Sequence, residues 1–370
     1  MRRLLPTCIV LGLYLVLGAS IPTPMERPKS QQDDDRARAA QLMFRFDSLR
    51  LALRIPGLAV VVLQDTVVLA ARGLGVADVM HDVSVTAETP FNIASVAKPI
   101  AAVVALRLAE QGLLDLDRPM QSFRGFTEFC TDVRGAGGIF FGDYACQDSA
   151  LTLRHVLSMT ANGRPGTRFF YNPPSFSWAS RPMAEVAETS FSDLTAALVF
   201  GPAGMTRSGR LHRRMPLPPA LATALAKPYH LDSAGRIVPS PAPALQGDGA
   251  AGGVIASAMD LARFDIALSQ GRLLSPASLS AMWAPGRSPT GEPLPYGLGW
   301  FVAAPQGETL IWHTGLWEGA YSALYLKAPA RGLTLILLAN SDGLRWESRL
   351  DEAVVERSPF AQAFLAAFPR

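Results

Sequence analysis

Short β-prone runs gather near both ends of this chain, and a long segment with few such runs separates them. Residues 120–250 carry Pro, Gly and short helical patches instead. The pattern predicts that strands from both ends contribute to the fold, with a mostly helical insertion between them. The β-prone runs are 58–63, 66–70, 298–302, 309–312, 321–326 and 333–338. Helices are predicted over about 36–53, 95–111 and 347–368.

The size and composition of the chain are those of a globular protein with a large core. Its 370 residues suit one large domain or two lobes. Apolar residues make up 49% and charged residues 18%, which excludes a disordered chain. The net charge is +3, and without residues 1–19 it falls to +1, since 32 basic residues then face 31 acidic ones. A nucleic-acid partner is therefore not expected.

The first residues have the pattern of an export signal. Arg2 and Arg3 form a positive segment, and the apolar stretch 4–19 is 16 residues long, which is short for a membrane span. Cleavage is expected at 18–20, and an uncleaved membrane anchor is the alternative. A signal peptide over 1–19 predicts a periplasmic or secreted protein whose mature chain has no membrane span.

Two cysteines remain if Cys8 leaves with the signal. Cys130 and Cys146 are separated by 15 residues, and the segment between them is rich in Gly. In an oxidising compartment this pair predicts a disulfide. The alternative is two separate buried thiols.

The tetrad Ser95-Val96-Ala97-Lys98 precedes a long apolar helical run. Residues three apart share one face of a helix, so Ser95 and Lys98 would lie side by side. A neutral amine can take the serine proton and allow a poor nucleophile to attack a carbonyl. The tetrad alone also fits a solvated lysine beside a helix-start serine. Other segments of the chain are therefore needed to distinguish a catalytic pair from this alternative.

Further segments follow one another in a consistent order along the chain. They are Thr89–Lys98 (TPFNIASVAK), Leu151–Thr160 (LTLRHVLSMT), Pro165–Tyr171 (PGTRFFY), Gly252–Val254 (GGV), Asp260–Phe264 (DLARF), Tyr296–Trp300 (YGLGW) and His313–Gly315 (HTG). This series resembles the class C β-lactamase-like serine hydrolase family, whose nucleophile signature is S-x-x-K. The family includes class C β-lactamases, D-Ala-D-Ala peptidases, D-aminopeptidases and several esterases. The resemblance covers nearly all of residues 40–370.

The resemblance implies an α+β fold. An antiparallel β-sheet would be flanked by helices, with an inserted mostly helical lobe over roughly 120–250 and the active site between the two. Residues 20–40 would form a linker ahead of one serine hydrolase domain at 41–370.

The resemblance also implies roles for individual residues. Ser95 would attack the substrate carbonyl, and Lys98 would take or relay its proton, which at neutral pH requires a lowered lysine pKa. Tyr171 would be the second acid–base group, although by its residue cluster alone it also fits a packed core aromatic. The backbone N–H groups of Ser95 and Leu316 would form the oxyanion hole.

One motif near the catalytic tyrosine departs from the family pattern. The family has Tyr-x-Asn, whereas this chain has Tyr171-Asn172-Pro173. The asparagine that contacts a substrate amide is therefore displaced by one residue. We expect Asn172 to lie at the substrate site, while the shift puts amide substrates in question.

A second departure lies on a predicted strand, where the family's Lys-Thr-Gly becomes His313-Thr314-Gly315. These three residues are expected to bind substrate, and Gly315 would let a substrate backbone approach closely. A histidine is charged only below its pKa, near 6.5 when unperturbed. Binding of carboxylate substrates is therefore expected to tighten as the pH falls through that value.

No cofactor and no metal are implied. The other histidines lack metal-ligand spacing, and the motifs H-E-x-x-H, G-x-S-x-G and Ser-Asp-Asn are absent. The sequence predicts an exported serine hydrolase that acts through an acyl-enzyme on a small ester, amide or D-amino-acid peptide. The alternatives are a penicillin-binding-type relative with little turnover and a true class C β-lactamase. The partner would be a small molecule or short peptide, and the sequence does not decide the oligomeric state.

Overall fold

The strands predicted near the two ends of the chain pair with each other in one antiparallel sheet. The structure is a computed structural model that describes residues 29–136, 138–241, 245, 247–345 and 354–369. Its strands are β1 (Gly57–Gln64), β2 (Val67–Asp78), β3 (Val83–Ser84), β4 (Pro90–Asn92), β5 (Gly209–Arg210), β6 (Tyr229–Leu231), β7 (Ile237–Pro239), β8 (Val254–Ser257), β9 (Phe301–Ala303), β10 (Leu310–Trp317), β11 (Tyr321–Ala328) and β12 (Leu333–Ala339).

The main sheet has the strand order β3-β2-β1-β12-β11-β10-β9. β1 pairs with β12 from Leu58 opposite Ala339 to Gln64 opposite Leu333, so a strand from the start of the chain lies beside the last strand. A second sheet has the order β4-β8-β5, and β6 and β7 form a hairpin. The predicted α+β class and antiparallel sheet are confirmed.

Helices cover the sheet and outnumber the strands in the inserted segment between residues 120 and 250. They are α1 (Lys29–Ala52), α2 (Ala97–Glu110), α3 (Phe126–Ala136), α4 (Leu153–Leu157), α5 (Pro173–Trp178), α6 (Ser180–Ala187), α7 (Phe191–Thr195), α8 (Gly201–Ala203), α9 (Pro219–Ala224), α10 (Ala258–Ser269), α11 (Pro276–Trp283) and α12 (Pro359–Ala367).

The central strands are buried on both faces. α1 packs on α12 and contacts β1 and β2, while α10 contacts β1 and β12. Every residue of β1, β11 and β12 is buried as a result. A sheet covered on both faces is built from continuous apolar runs rather than from alternating ones, which explains the sequence of β1 (GLAVVVLQ).

Two predicted boundaries were wrong. α1 begins at Lys29, so residues 29–40 of the predicted linker are helical. The last helix was predicted from 347, but it begins at Pro359, with the Ser358 side chain as its N-cap. Proline fits the first turn of a helix because its missing N–H has no partner there, whereas it interrupts a longer helix. Residues 347–353 of that prediction lie outside the described residues.

The predicted signal peptide, residues 1–19, also lies outside the described residues, as do residues 20–28 of the predicted linker. No helix in the described ranges combines the length and the apolar character needed to cross a membrane.

A disulfide joins Cys130 of α3 to Cys146, as predicted. Aromatic rings pack along the loop that it closes. The ring centroids of Phe129 and Phe141 are 5.8 Å apart, and those of Phe141 and Tyr144 are 5.6 Å apart. The disulfide therefore ties α3 to a loop that also carries part of the core.

Replacing both cysteines with serine is expected to lower the free energy of unfolding by about 3 kcal/mol, because an open loop of this length has more freedom in the unfolded chain. Urea unfolding followed by circular dichroism measures the change. A reducing agent added to the natural protein should lower its free energy of unfolding by a similar amount. The same agent should not affect the double variant, which has no disulfide. Two freely alkylated thiols in protein from an oxidising compartment would contradict the pairing.

Candidate active site

A strained turn presents Ser95 at the start of α2. Ser95 lies in a single turn of 3-10 helix, Ala94–Val96, that leads directly into α2. The Asn92 side chain accepts a hydrogen bond from the Ala94 N–H at 2.9 Å, and Ala94 has a φ of 46°. A non-glycine residue in this left-handed region costs about 1–3 kcal/mol, and such strain gathers at functional sites. Ser95 is partly exposed while its neighbours in the chain are buried, so its hydroxyl can be reached.

Lys98 is fully buried one turn after Ser95. Its Nζ lies 2.7 Å from Ser95 Oγ and donates a hydrogen bond to the Ala251 carbonyl oxygen at 3.1 Å. The rings of Tyr171 and Phe176 lie 5.2 Å and 5.6 Å from Nζ. Burial disfavours the ammonium form and lowers the pKa of Lys98 to about 7. A large fraction of this lysine is therefore neutral at physiological pH.

Aromatic packing holds Tyr171 against Ser95 and Lys98. Its ring stacks on that of Phe301 with centroids 5.8 Å apart. Burial raises the pKa of Tyr171 above its usual value, and a hydrogen bond with the Ser95 side chain acts in the opposite direction. Tyr171 therefore keeps its proton at neutral pH and serves as a hydrogen-bond donor. The structure brings Ser95, Lys98 and Tyr171 together.

His313 is buried in β10, and its ring is used within the protein. Nε2 lies 2.8 Å from the Tyr296 hydroxyl, and Nδ1 lies 2.7 Å from the Thr314 carbonyl oxygen. Since a carbonyl oxygen only accepts, Nδ1 carries the proton and Nε2 accepts from Tyr296. Burial, together with the charge of Lys98, holds the pKa of His313 well below 6.5. The expectation that this imidazole becomes charged near pH 6.5 is therefore wrong.

The free edge of β10 lies against the nucleophile turn. β9 pairs with β10 only over Leu310–Trp312, so the next residues of β10 have no strand partner on that side within the described sheet. A Cβ atom at Gly315 would overlap the carbonyl oxygen of Ile93. Gly315 thus admits the turn before Ser95, and the close approach of a substrate backbone at this residue stays a prediction. This contact places Leu316 near the nucleophile turn, and its N–H as an oxyanion donor stays a prediction. Thr314 is partly exposed on the same edge, and its contact with substrate also stays a prediction.

Asn172 has a structural role. Its Oδ1 accepts a hydrogen bond from the Ser175 N–H at 3.0 Å, which caps α5. Its Nδ2 donates to the Phe140 carbonyl oxygen at 2.8 Å and to Asn162 Oδ1 at 3.0 Å. The amide is buried and these hydrogen-bonding positions are taken within the protein, while its contact with substrate stays a prediction. Asn172 fastens the disulfide-closed loop to α5.

A buried arginine that no sequence motif indicates supports the position of Lys98. Arg210 donates to the carbonyl oxygens of Gly249 at 2.7 Å and Gly252 at 3.1 Å. Its Nε also lies 3.2 Å from the Asp248 carboxylate, which balances its charge. These bonds flank Ala251, whose carbonyl holds Lys98. Arg210 is therefore a positioning residue for the lysine.

No group of three His, Cys, Asp or Glu side chains within the described ranges is arranged to hold a metal ion. The groups that the structure does bring together are the hydroxyl of Ser95, the amine of Lys98 and the phenol of Tyr171.

The Beta-lactamase family model matches residues 36–357, and the chain belongs to this family. The resemblance drawn from the sequence motifs is confirmed. Penicillin-binding protein 4* of Bacillus subtilis (strain 168) is 25% identical over 310 residues, which make up 74% of this chain and 68% of that protein.

Two solved structures show the same fold. The D-amino acid amidase from Ochrobactrum anthropi SV3 superposes with a TM-score of 0.64 at 17% identity, over 90% of this chain and 98% of that one. The class C beta lactamase from Rhodobacter sphaeroides superposes with a TM-score of 0.60 at 18% identity, over 82% of this chain and 94% of that one. At these identities the matches establish the fold alone.

Proposed function

We propose that this protein is a serine hydrolase that forms an acyl-enzyme on Ser95. The observation that carries the proposal is the 2.7 Å contact between Ser95 Oγ and Lys98 Nζ, an amine whose pKa burial lowers to about 7. A general base works best when its pKa lies near the working pH. Membership of the Beta-lactamase family, with an amidase and a β-lactamase of the same fold, supports the hydrolase class.

The reaction divides into acylation and deacylation. Neutral Lys98 takes the Ser95 proton as Oγ bonds to the substrate carbonyl carbon, and the carbonyl oxygen becomes an oxyanion. The oxyanion collapses, the bond to the leaving group breaks, and the proton on Lys98 reaches the leaving group through the Tyr171 hydroxyl. Lys98, neutral again, then deprotonates a water molecule that attacks the ester carbon. The acid departs, and Ser95 regains its proton.

The oxyanion hole in this proposal consists of the N–H groups of Ser95 and Leu316. The packing of Gly315 on Ile93 supports this assignment, because it brings the unpaired edge of β10 to the turn that carries Ser95. Two preorganised donors of this kind stabilise the tetrahedral intermediate by several kcal/mol, roughly 3–4 for each donor.

The proposed substrate class depends on two side chains, His313 and Asn172, whose polar atoms are engaged within the protein. Position 313 holds a neutral histidine with both ring nitrogens engaged, so it offers no permanent charge to a substrate carboxylate. The Asn172 amide is likewise engaged within the protein. We propose that short-chain esters and small D-amino-acid amides or peptides are turned over faster than penicillins and cephalosporins. The disulfide supports an exported location, periplasmic or secreted.

Side-by-side kcat/KM values for p-nitrophenyl butyrate, a D-alanine p-nitroanilide and nitrocefin test this proposal. We expect the ester or the anilide to exceed nitrocefin by at least about tenfold, which corresponds to 1.4 kcal/mol of transition-state binding. A large preference for nitrocefin would instead identify a true β-lactamase. Intact mass after mixing with the ester distinguishes turnover from capture: a butyryl adduct that never decays would support a penicillin-binding-type protein.

A further inference from the structure

Asn162 is a fully buried side chain whose amide nitrogen and oxygen both have hydrogen-bond partners within the protein. Its Nδ2 donates to the Phe140 carbonyl oxygen at 3.0 Å and to the Asp143 carboxylate at 2.8 Å. Its Oδ1 accepts from Asn172 Nδ2 at 3.0 Å, and the same Asn172 group donates to the Phe140 carbonyl oxygen at 2.8 Å. The two amides and this carbonyl therefore form a closed triangle. A buried polar network with every member satisfied holds its surroundings in one arrangement.

The loop closed by the disulfide runs beside the backbone that carries Asn162. The Ala145 N–H donates to the Ala161 carbonyl oxygen at 3.0 Å, and the Gly163 N–H donates to the Asp143 carbonyl oxygen at 2.7 Å. These two main-chain bonds flank Asn162 in the sequence. The position of its amide therefore depends on the position of the disulfide-closed loop.

The chain on both sides of Tyr171 is anchored to the same part of the fold. The Phe170 N–H donates to the Met159 carbonyl oxygen at 2.8 Å, and the Asn172 backbone nitrogen lies 3.2 Å from Met159 Sδ. A thioether sulfur is a weak acceptor. The Asn172 amide, through its bond to Asn162, therefore provides the stronger link between residue 172 and this segment.

The position of this backbone decides how the Tyr171 phenol meets the nucleophile. The phenol is hydrogen-bonded to the Ser95 side chain, and Lys98 Nζ lies 5.2 Å from the centre of its ring. In the proposed reaction the phenol passes a proton to the leaving group, and such a transfer needs heavy atoms within about 2.6–3.2 Å of each other. A displacement of the chain by about 1 Å would therefore slow this step.

We propose that Asn162 is a positioning residue for Tyr171, because it ties the chain at residue 172 to the disulfide-closed loop and so holds the phenol in place for leaving-group protonation. This inference rests on the proposed hydrolase function. Without Asn162, a leaving group that needs a proton should be expelled more slowly, whereas one that departs as a stable anion should be little affected. Attack by Ser95 should continue, since Lys98 is bound by Ser95 and the Ala251 carbonyl and not by this loop.

The kinetic test compares ethyl butyrate, whose ethoxide must be protonated as it leaves, with p-nitrophenyl butyrate, whose nitrophenolate leaves as an anion. In Asn162→Ala we expect kcat/KM to fall about tenfold or more for the ethyl ester and less than about threefold for the nitrophenyl ester. Acid release in a pH-stat measures both. Asn162→Ser, whose side chain is too short to keep all three bonds, carries the same expectation if the alanine variant does not fold. The control Ser358→Ala removes the N-cap of α12, which packs on α1, and should keep the natural ratio of the two rates.

A double-variant cycle separates positioning from a general structural effect. Tyr171→Phe removes the phenol that Asn162 is proposed to hold, and it should itself slow hydrolysis of the ethyl ester. If Asn162 acts through Tyr171, adding Asn162→Ala to Tyr171→Phe should lower kcat/KM for the ethyl ester by less than about twofold more. Equal losses for the two esters in Asn162→Ala, or losses that multiply in the double variant, would overturn the proposal.

A spectroscopic measurement distinguishes failure of this inference from failure of the proposed function. In protein labelled with carbon-13 at the tyrosine ζ carbon, the Tyr171 signal is the one missing from Tyr171→Phe. It should move in Asn162→Ala and in Asn162→Ser, and stay in place in the α12 control. Such a shift supports the positioning role even if no ester is hydrolysed. A Tyr171 signal that does not move would overturn it, even if Ser95 proves to be the nucleophile.

Discussion

Ser95→Ala is expected to lower kcat/KM for p-nitrophenyl butyrate by about 10³-fold or more, because no other hydroxyl in the catalytic group can form the acyl-enzyme. The fold should change little. The serine side chain is small and partly exposed, and Lys98 retains its hydrogen bond to the Ala251 carbonyl. We expect the free energy of unfolding to change by less than about 1 kcal/mol. Stopped assays at matched protein concentration and thermal unfolding measure the two effects.

Ser233→Ala is the matched control, since Ser233 is an exposed serine in the turn between β6 and β7. It should retain full activity. Intact mass should show one butyryl group on the natural protein and on this control, and none on the Ser95 variant. Full activity in Ser95→Ala, with a butyryl adduct on some other residue, would overturn the mechanism.

The sheet could be predicted from the sequence because its strands are local apolar runs. Val60-Val61-Val62 and Leu335-Ile336-Leu337 need burial on both faces, and that requirement is visible in the residues themselves. Helix boundaries were less accurate. α1 packs against α12, from the other end of the chain, and such a tertiary contact is not visible in the local sequence.

The catalytic group was predictable for a different reason. A spacing of three residues at a helix start places Ser95 beside Lys98 whatever the rest of the fold does. The lowered pKa of Lys98 was required by the chemistry, but its cause, complete burial, is a tertiary property.

The surroundings of two expected substrate-binding residues, His313 and Asn172, could be predicted from the sequence only in part. His313 is neutralised by burial, and Tyr296 occupies its Nε2. For Asn172 a local signal did exist: an asparagine directly before Pro173 is a helix N-cap pattern. Arg210 had no such signal, since its partners are loop carbonyls about forty residues away.

Lys98→Met is expected to give a protein that is inactive yet more stable than the natural one at acidic pH. The pKa of Lys98 is about 7 in the folded protein, against 10.5 for the free group. Between these values the unfolded chain binds a proton that the folded chain does not, so the stability of the natural protein rises with pH in this window. Below pH 7 the full cost of the buried charge, on the order of 5 kcal/mol, is present.

Methionine removes this cost and fills a similar volume, while it forfeits hydrogen bonds to Ser95 and to the Ala251 carbonyl that are worth about 1 kcal/mol each. Urea unfolding at pH 6 should therefore show a gain of about 2–4 kcal/mol, which shrinks as the pH approaches 10. Activity of the natural protein should fall as the pH drops through about 7, since protonated Lys98 cannot accept the Ser95 proton.

Lys327→Met is the control that separates this effect from a general benefit of removing buried lysines. Lys327 is also buried, but it forms an ion pair with Asp265 and a hydrogen bond to Thr334. Its loss leaves a buried carboxylate without its cation and should destabilise the protein by about 3–5 kcal/mol. Two results would show that Lys98 is not held neutral by burial. One is a Lys98→Met protein that is less stable than the natural one at pH 6. The other is a difference in free energy of unfolding between the two proteins that is the same at pH 6 and pH 10. The lysine would then not serve as the base that the proposed mechanism requires.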